Sequence, residues 1–190
     1  PIRMLEIGVF RGGSLRMWKR YFHPESIIVG IDVDESCRDH EDAQNGIFVR
    51  IGDQSDRAFL ARVSGELGPF DIILDDGSHK TFDQISAFNA LFRPALKDGG
   101  CYLLEDMHSN YWVRDFDSPQ TFIRYATRMV DALHEPYLSR RERDFRRGHP
   151  DAVRKLELSY LSANLAGVFF YDSVVVLEKR RRQLPTSELR

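Results

Sequence analysis

Asp71-Ile72-Ile73-Leu74-Asp75-Asp76-Gly77-Ser78-His79 constrains the chain more than any other stretch. Its apolar run stops abruptly at two carboxylates, a glycine, a hydroxyl and an imidazole. A short apolar run bounded by a turn signal reads as a buried strand entering a loop. Strands buried on both faces belong to parallel sheets, which bind ligands beyond their carboxyl ends. The stretch therefore places Asp76 and His79 where an α/β enzyme keeps its chemistry. Taken alone, it reads equally well as an acidic turn with a capping serine, and the rest of the chain decides.

The same pattern recurs on both sides of it. Residues 3–9 read as a strand, 10–14 as a glycine-rich loop, and 15–22 as a helix with Leu15, Trp18 and Phe22 on one face. Residues 27–32 form a second strand ending in Asp32, and 47–53 a third. Residues 57–67 read as a helix capped from within 53–56, and a further helix covers 82–91. Lys97-Asp98-Gly99-Gly100 reads as a breaker before a fifth strand over 101–106, again ending in acids. This alternation predicts an α/β fold with a doubly wound, Rossmann-like, mostly parallel sheet. Beyond it, 122–138 reads as a helix and 140–155 is dense in charge of both signs. Residues 156–161 and 163–171 read as extended segments. The latter turns at Asp172-Ser173 into 174–179, a closing antiparallel hairpin that brings the sheet to seven strands. The tail from 180 to 190 reads as frayed.

Length and composition fit one domain over 1–190, with 42% hydrophobic residues to fill a core. A net charge of −2 gives no general reason to expect nucleic acid or an acidic membrane surface as partner. Cys37 and Cys101 have no metal-ligand spacing and are too few for a disulfide framework, which suits a reducing cytoplasm. No apolar stretch is long enough to span a bilayer, and no signal peptide is evident. Because the first strand begins almost at Pro1, the natural protein is expected to extend upstream.

After the first strand the pattern is Glu6-x-Gly8-x-x-x-Gly12-Gly13, not the Gly-x-Gly-x-x-Gly that seats a pyrophosphate on a helix. Glycines here let backbone approach a ligand closely, and a cofactor without phosphates fits this spacing better. Asp32, roughly twenty residues on, is placed to accept both hydroxyls of a ribose. Asp53-Gln54, after the third strand, lies where an adenine would sit.

With these residues in hand, the chain resembles the class I S-adenosylmethionine-dependent methyltransferases, and more narrowly the metal-dependent macrolide sugar O-methyltransferases. The resemblance runs over residues 4–112 and is carried by Glu6-Ile7-Gly8-Val9-Phe10-Arg11-Gly12-Gly13-Ser14-Leu15, Gly30-Ile31-Asp32, Gly52-Asp53-Gln54-Ser55-Asp56, Asp75-Asp76-Gly77-Ser78-His79 and Glu105-Asp106. It implies that Glu6, Gly8, Gly12, Ser14 and Asp75 serve the cofactor together with Asp32, Asp53 and Gln54. It further implies that Asp76, Glu105 and Asp106 bind Mg²⁺ and that His79 is the general base.

Strand order leads to the same site from the residues alone. Neighbouring fourth and fifth strands lie ~4.8 Å apart and bring Asp76, Glu105 and Asp106 together. Carboxylates that close raise one another's pKa unless a cation joins them, and an all-oxygen donor set suits Mg²⁺. A solvated acidic cluster is the plainer alternative. A metal on an acceptor hydroxyl lowers its pKa, and His79 is placed to take the proton. A chelating vicinal diol would orient the attacking oxygen, so the expected partner is a sugar or another hydroxylated small molecule. A catechol-type methyltransferase, a cephalosporin-hydroxylase-like oxygenase, a nicotinamide oxidoreductase and a non-catalytic binding domain are the competing readings. Residues 111–160 are expected to build the acceptor pocket, with 140–147 as a lid or a solvated face. Tyr111 and Trp112 read as stacking or core residues, His108 as a loop histidine, and His134 and His149 carry no pattern. Residues 179–182 read as a surface tail. A homo-oligomer is expected from the resemblance alone.

Overall fold

The computed structural model describes residues 1–112, 117–138 and 158–183. Its elements are β1 (Arg3–Ile7), α1 (Gly13–Tyr21), β2 (Ile27–Asp32), β3 (Ile47–Ile51), α2 (Arg57–Leu67), β4 (Phe70–Asp75) and α3 (Thr81–Leu91). They continue as β5 (Leu96–Leu104), α4 (Phe122–Leu138), α5 (Tyr160–Asn164), β6 (Leu165–Tyr171) and β7 (Val174–Lys179). Short 3-10 turns occupy Glu35–His40, Ala43–Asn45 and Met107–Tyr111. The strands form one seven-stranded sheet in the order β3-β2-β1-β4-β5-β7-β6. β1 to β5 run parallel, and β7 is antiparallel to both of its neighbours. β7 is thus the single reversed strand of the expected antiparallel closure.

Two cores follow from the two-residue period of the strands. Leu5 and Ile7 of β1 point into the larger core, with Phe59 and Leu60 of α2, Phe88 and Leu91 of α3, and Phe122 of α4. Met4 points the other way and packs with Leu15, Trp18 and Phe22 on the α1 side. Glu6 shares that face by the same alternation. β2 stays close to α1 because Gly30 has no side chain; a Cβ there would lie 3.0 Å from Leu15 Cδ1 of α1.

The sheet reverses its winding between β1 and β4, and the register levels the strand ends there. Ile7 stands beside both Ile31 and Asp75, and Asp75 beside Leu104. The residues that follow are Gly8, Asp32, Asp76 and Glu105. They leave the sheet as one row, at the switch point where open α/β sheets hold ligands.

Three expectations are corrected. The Lys97-Asp98-Gly99-Gly100 breaker lies inside β5, where Gly99 (φ 84°) and a register shift opposite Phe70 and Ile72 absorb the irregularity as a bulge. The segment expected to be extended to residue 161 instead carries α5, capped by Ser159, whose side chain accepts from Ser162 N; residues 156 and 157 lie outside the described residues. The 179–182 run is no loose tail. Lys179 is buried and its Nζ donates to the carbonyls of Phe92 (3.0 Å), Arg93 (2.9 Å) and Leu96 (2.5 Å), just past the end of α3. Arg182 donates to the carbonyls of Ala132, Leu133 and Ser162. The proposed lid at 140–147 and His149 lie outside the described residues. No described helix is long and apolar enough to cross a membrane.

Candidate active site

At the end of β1 the chain turns through Gly8 (φ 99°), whose N–H donates to the Ile31 carbonyl at 2.8 Å. A Cβ at Gly8 would fall 2.2 Å from the Asp76 carbonyl oxygen. At Gly12 (φ 64°) it would fall 2.5 Å from the His40 ring. The neighbour that forbids a side chain at each is the chain itself, not a ligand. Asp32 ties this loop down. Its Oδ2 accepts from Val9 N (2.9 Å) and Phe10 N (3.0 Å), and its Oδ1 from Asp34 N (3.0 Å). Burial pushes the carboxyl up, but these N–H groups outweigh it and hold the pKa below the usual range.

A cleft of about 580 Å³ opens over the row of strand ends, within the usual size of a small-molecule site. Gly8, Asp32, Asp53, Gln54, Asp76, His79 and Asp106 line it. Glu6, Gly12, Ser14, Asp75 and Glu105 stand outside that lining. The cleft wall also includes Phe10 and Val33, which are 77% and 68% exposed. Their one sequence signal is position, beside the glycine loop and beside the acid that ends β2. A larger hollow of about 650 Å³ near Lys19, Phe22 and Phe48 lies by the amino ends of β2 and β3, away from this chemistry.

Gln54 and Asp75, expected to serve the cofactor, form a buried strut. Gln54 Nε2 donates to Asp75 Oδ1 (3.2 Å), and its Oε1 accepts from Ser78 N (2.8 Å). Tyr102 Oη donates to Asp75 Oδ2 at 3.3 Å. Asp75 is fully buried, and burial raises its pKa to about 7 against the pull of the Gly77 N–H, Gln54 and Tyr102. Asp75 therefore braces the β4 loop from behind the cleft. Glu6 is likewise buried, beneath α1. Burial pushes it to about 7; the Ser14 hydroxyl opposes this, while the charges of Asp76 and Glu105 add to it. Glu6 Oε2 has no hydrogen-bond partner among the described residues.

Asp76, His79 and Asp106 converge. One ligand-type atom from each lies within 4.8 Å of the others, and His79 Nε2 is 3.8 Å from Asp106 Oδ2. Glu105 is outside this trio but electrostatically coupled to it. Burial, then the charges of Asp76 and Asp106, raise its pKa. Asp76 is also raised, chiefly by burial; His79 works against the shift and Asp106 with it. Among the described residues no Lys or Arg pairs with these three carboxylates. The site is oxygen-rich, like-charged and uncompensated, so its donor set fits a hard divalent cation. His79 (φ 60°) and Asp106 (φ 54°) both occupy left-handed backbone, sparsely populated for residues other than glycine and common at functional sites.

His108 faces Asp106 from the other side, with Nδ1 3.9 Å from Asp106 Oδ1 and 2.5 Å from Ser173 Oγ. Its ring meets Trp112 edge-on at 4.8 Å. Tyr111 and Trp112 are both exposed at this rim, whereas His134 lies exposed on α4 away from it.

No protein-family model matches the chain. Known proteins do. It is 41% identical, over 94% of its length, to demethylmacrocin O-methyltransferase of Streptomyces fradiae, of which it covers 44%. It is 38% identical, over 70% of its length, to the 8-demethyl-8-alpha-L-rhamnosyl tetracenomycin-C 2'-O-methyltransferase of Streptomyces olivaceus, of which it covers 37%. Among solved structures, the MycE methyltransferase of mycinamycin biosynthesis in complex with Mg, S-adenosylhomocysteine and mycinamycin VI superposes with a TM-score of 0.78 at 33% identity. That match covers 95% of this chain and 45% of the other. The chain thus spans less than half the length of these three proteins.

Proposed function

We propose, from its similarity over nearly its whole length to O-methyltransferases of which it covers less than half, that the chain methylates a hydroxyl of a sugar carried by a polyketide. The observation that carries this reading is the convergence of Asp76, Asp106 and His79 at the ends of adjacent β4 and β5, on the margin of the cleft. Two of the matched proteins are named for 2'-O- and 3'-O-methylation of rhamnosyl tetracenomycin-C compounds, and a metal-side site of this kind can hold a sugar hydroxyl.

In this reading S-adenosylmethionine supplies an electrophilic methyl group, and Mg²⁺ lowers the pKa of the acceptor hydroxyl. The chain's own groups do the rest. Asp76 and Asp106, with Glu105 beside them, hold the cation, which relieves the repulsion that raises the pKa of Asp76 and Glu105. Glu6, buried with one oxygen unpartnered, offers a carboxylate to the cationic end of the cofactor. Asp32 offers its remaining lone pairs to the ribose, and exposed Val33 and Phe10 flank the rest. His79 Nε2 takes the acceptor proton on the face shared with Asp106, so that the alkoxide forms beside the cleft.

One observation favours a second role for His79. Its ring nitrogen lies inside the same 4.8 Å group as the two carboxylates, so it could bind the cation itself. A nitrogen ligand would favour Mn²⁺ or Fe²⁺ over Mg²⁺.

The test is incubation of the full-length protein with S-adenosylmethionine, Mg²⁺ and, separately, mycinamycin VI, demethylmacrocin or a catechol. The account expects transfer of one methyl group to the glycosides and none to the catechol. Catechol methylation with the glycosides untouched would overturn the acceptor assignment. Activity that requires Mn²⁺ or Fe²⁺ and fails with Mg²⁺ would replace the base role of His79 with a ligand role.

A further inference from the structure

His79 and Asp106 face each other across 3.8 Å, each in left-handed backbone. Such residues keep their geometry only when their surroundings over-determine it. The surroundings in question are the 3-10 turn Met107–Tyr111. Its first residues close back on Asp106, because Ser109 N donates to the Asp106 carbonyl at 2.9 Å. The next residue, Asn110, reaches across to His79. It is 3% exposed and uses both ends of its amide. Asn110 Oδ1 accepts from Phe122 N (2.8 Å) at the start of α4, while Nδ2 donates to the His79 carbonyl (3.1 Å) and to Gln84 Oε1 (3.0 Å) in α3.

The amide's orientation is not arbitrary. A backbone N–H can only donate and a backbone carbonyl can only accept, so Phe122 and His79 fix which end is oxygen and which is nitrogen. Gln84, fully buried, must then turn its own oxygen toward Asn110. Asn110 therefore joins the His79 loop, the Asp106 turn, α3 and α4 through bonds of fixed polarity. Ser109 Oγ reaches the same carbonyl at 3.5 Å and is the weaker tether.

We infer that Asn110 is the positioning residue of the site: it holds His79 against Asp106 without touching cofactor or acceptor. The inference rests on the proposed role of His79. It predicts a separation of binding from turnover, because a base displaced by about 1 Å costs on the order of 100-fold in rate. Asn110→Asp is nearly isosteric and keeps the acceptor for Phe122 N, but it puts an oxygen where His79 and Gln84 need a donor. Asn110→Ser is too short to span to His79 and keeps a hydroxyl.

The experiment compares both variants with Gln84→Met, Ser109→Ala and His79→Ala in the full-length protein. Readouts are kcat and KM with whichever glycoside the wild type methylates, S-adenosylhomocysteine affinity by calorimetry, and the ¹⁵N signals of the His79 ring. Asn110→Asp and Asn110→Ser are expected to lower kcat roughly 100-fold and to move or broaden the His79 ring signals. Their S-adenosylhomocysteine affinity should stay within about 3-fold, a change below 1 kcal/mol. Gln84→Met and Ser109→Ala each remove one lesser bond of the same network and should lower kcat and move the His79 signals less than either Asn110 variant. If His79→Ala is inactive while both Asn110 variants keep wild-type kcat and unchanged ring signals, the positioning role is wrong and the base role survives. If His79→Ala is fully active, the base role fails first. Should Asn110→Asp not fold, Asn110→Ser and the ring spectra decide.

Discussion

On the β1–β2 side of the cleft the lining acid already has partners: Asp32 accepts three backbone N–H groups, and Gly12 N closes on the Val9 carbonyl at 2.8 Å, while only Glu6, buried behind the cleft, keeps an unpartnered oxygen among these acids. On the β4–β5 side the acids have no Lys or Arg partner among the described residues. Asp76 and Glu105 stand at raised pKa beside Asp106, and His79 Nδ1 is buried without a partner among the described residues. The first side is organised by its own hydrogen bonds, and its anion is stabilised where it stands. The second is held in strained backbone by groups outside the cleft, and its charges oppose one another. A site needs both: one wall fixed in advance for binding, and one whose electrostatic energy falls when a cation and substrate arrive.

Substitutions on the second side should therefore act on turnover. Asp76→Asn and Asp106→Asn are expected to lower methyl transfer about 1,000-fold, since losing the cation forfeits several kcal/mol, and Mg²⁺ should no longer raise their melting temperature. His79→Ala is expected to cost roughly 100-fold to 10,000-fold in kcat while S-adenosylhomocysteine affinity, read by calorimetry, stays near wild type. On the first side the opposite split is expected. Asp32→Asn weakens charge-assisted bonds to the loop and should reduce cofactor affinity about 10-fold, with kcat at saturating cofactor largely kept. If Asp32→Asn and His79→Ala produce the same pattern, the contrast between the two sides is false.

The smallest effect is on stability, and Glu6 and Asp75 set its sign together. The folded pKa of Glu6, about 7, lies above the 4.5 of an ordinary glutamate, so the folded state holds the proton more tightly than the unfolded one. The stabilisation is fully present below pH 4.5 and is lost as pH rises through 7. Over that interval it amounts to roughly 2–3 kcal/mol. Thermal melts in chelator should show the melting temperature falling from pH 4.5 to 7.5, and Glu6→Gln should reduce that slope, with Asp75, also raised to about 7, supplying part of what remains. Asp32, held below its usual range, works the other way and loses its contribution only as pH drops below about 4.

Much of this was legible from residue order. An apolar run before the glycine loop located β1, apolar runs ending in acids located β2, β4 and the end of β5, and a parallel sheet then forces Gly8, Asp32, Asp76 and Glu105 into one row. What escaped was governed by contacts that no local pattern records. The bond between Gln54 and Asp75 was not legible, because alternation along β4 turns Asp75 into the core while Gln54 still lines the cleft. Gly99 resembles a breaker until the bulge in β5 uses its positive φ. Asn110 and Gln84 gave almost no signal: buried amides in a short 3-10 turn and a helix have no periodicity of their own. The Ser109-Asn110 pair between apolar Met107 and Tyr111 was the one hint. Lys179 read as part of a basic tail because only the folded chain brings the carbonyls past α3 within its reach.

The central claim is that the ends of β4 and β5 aim their carboxylates at a shared divalent cation beside the base. Diffraction at the manganese edge from crystals of the full-length protein grown with Mn²⁺ and S-adenosylhomocysteine tests it most directly. The account predicts one anomalous peak within bonding distance of Asp76 and Asp106, with His79 Nε2 facing the space between ion and cofactor. A strong peak elsewhere, or none while the two carboxylates turn apart, would contradict it.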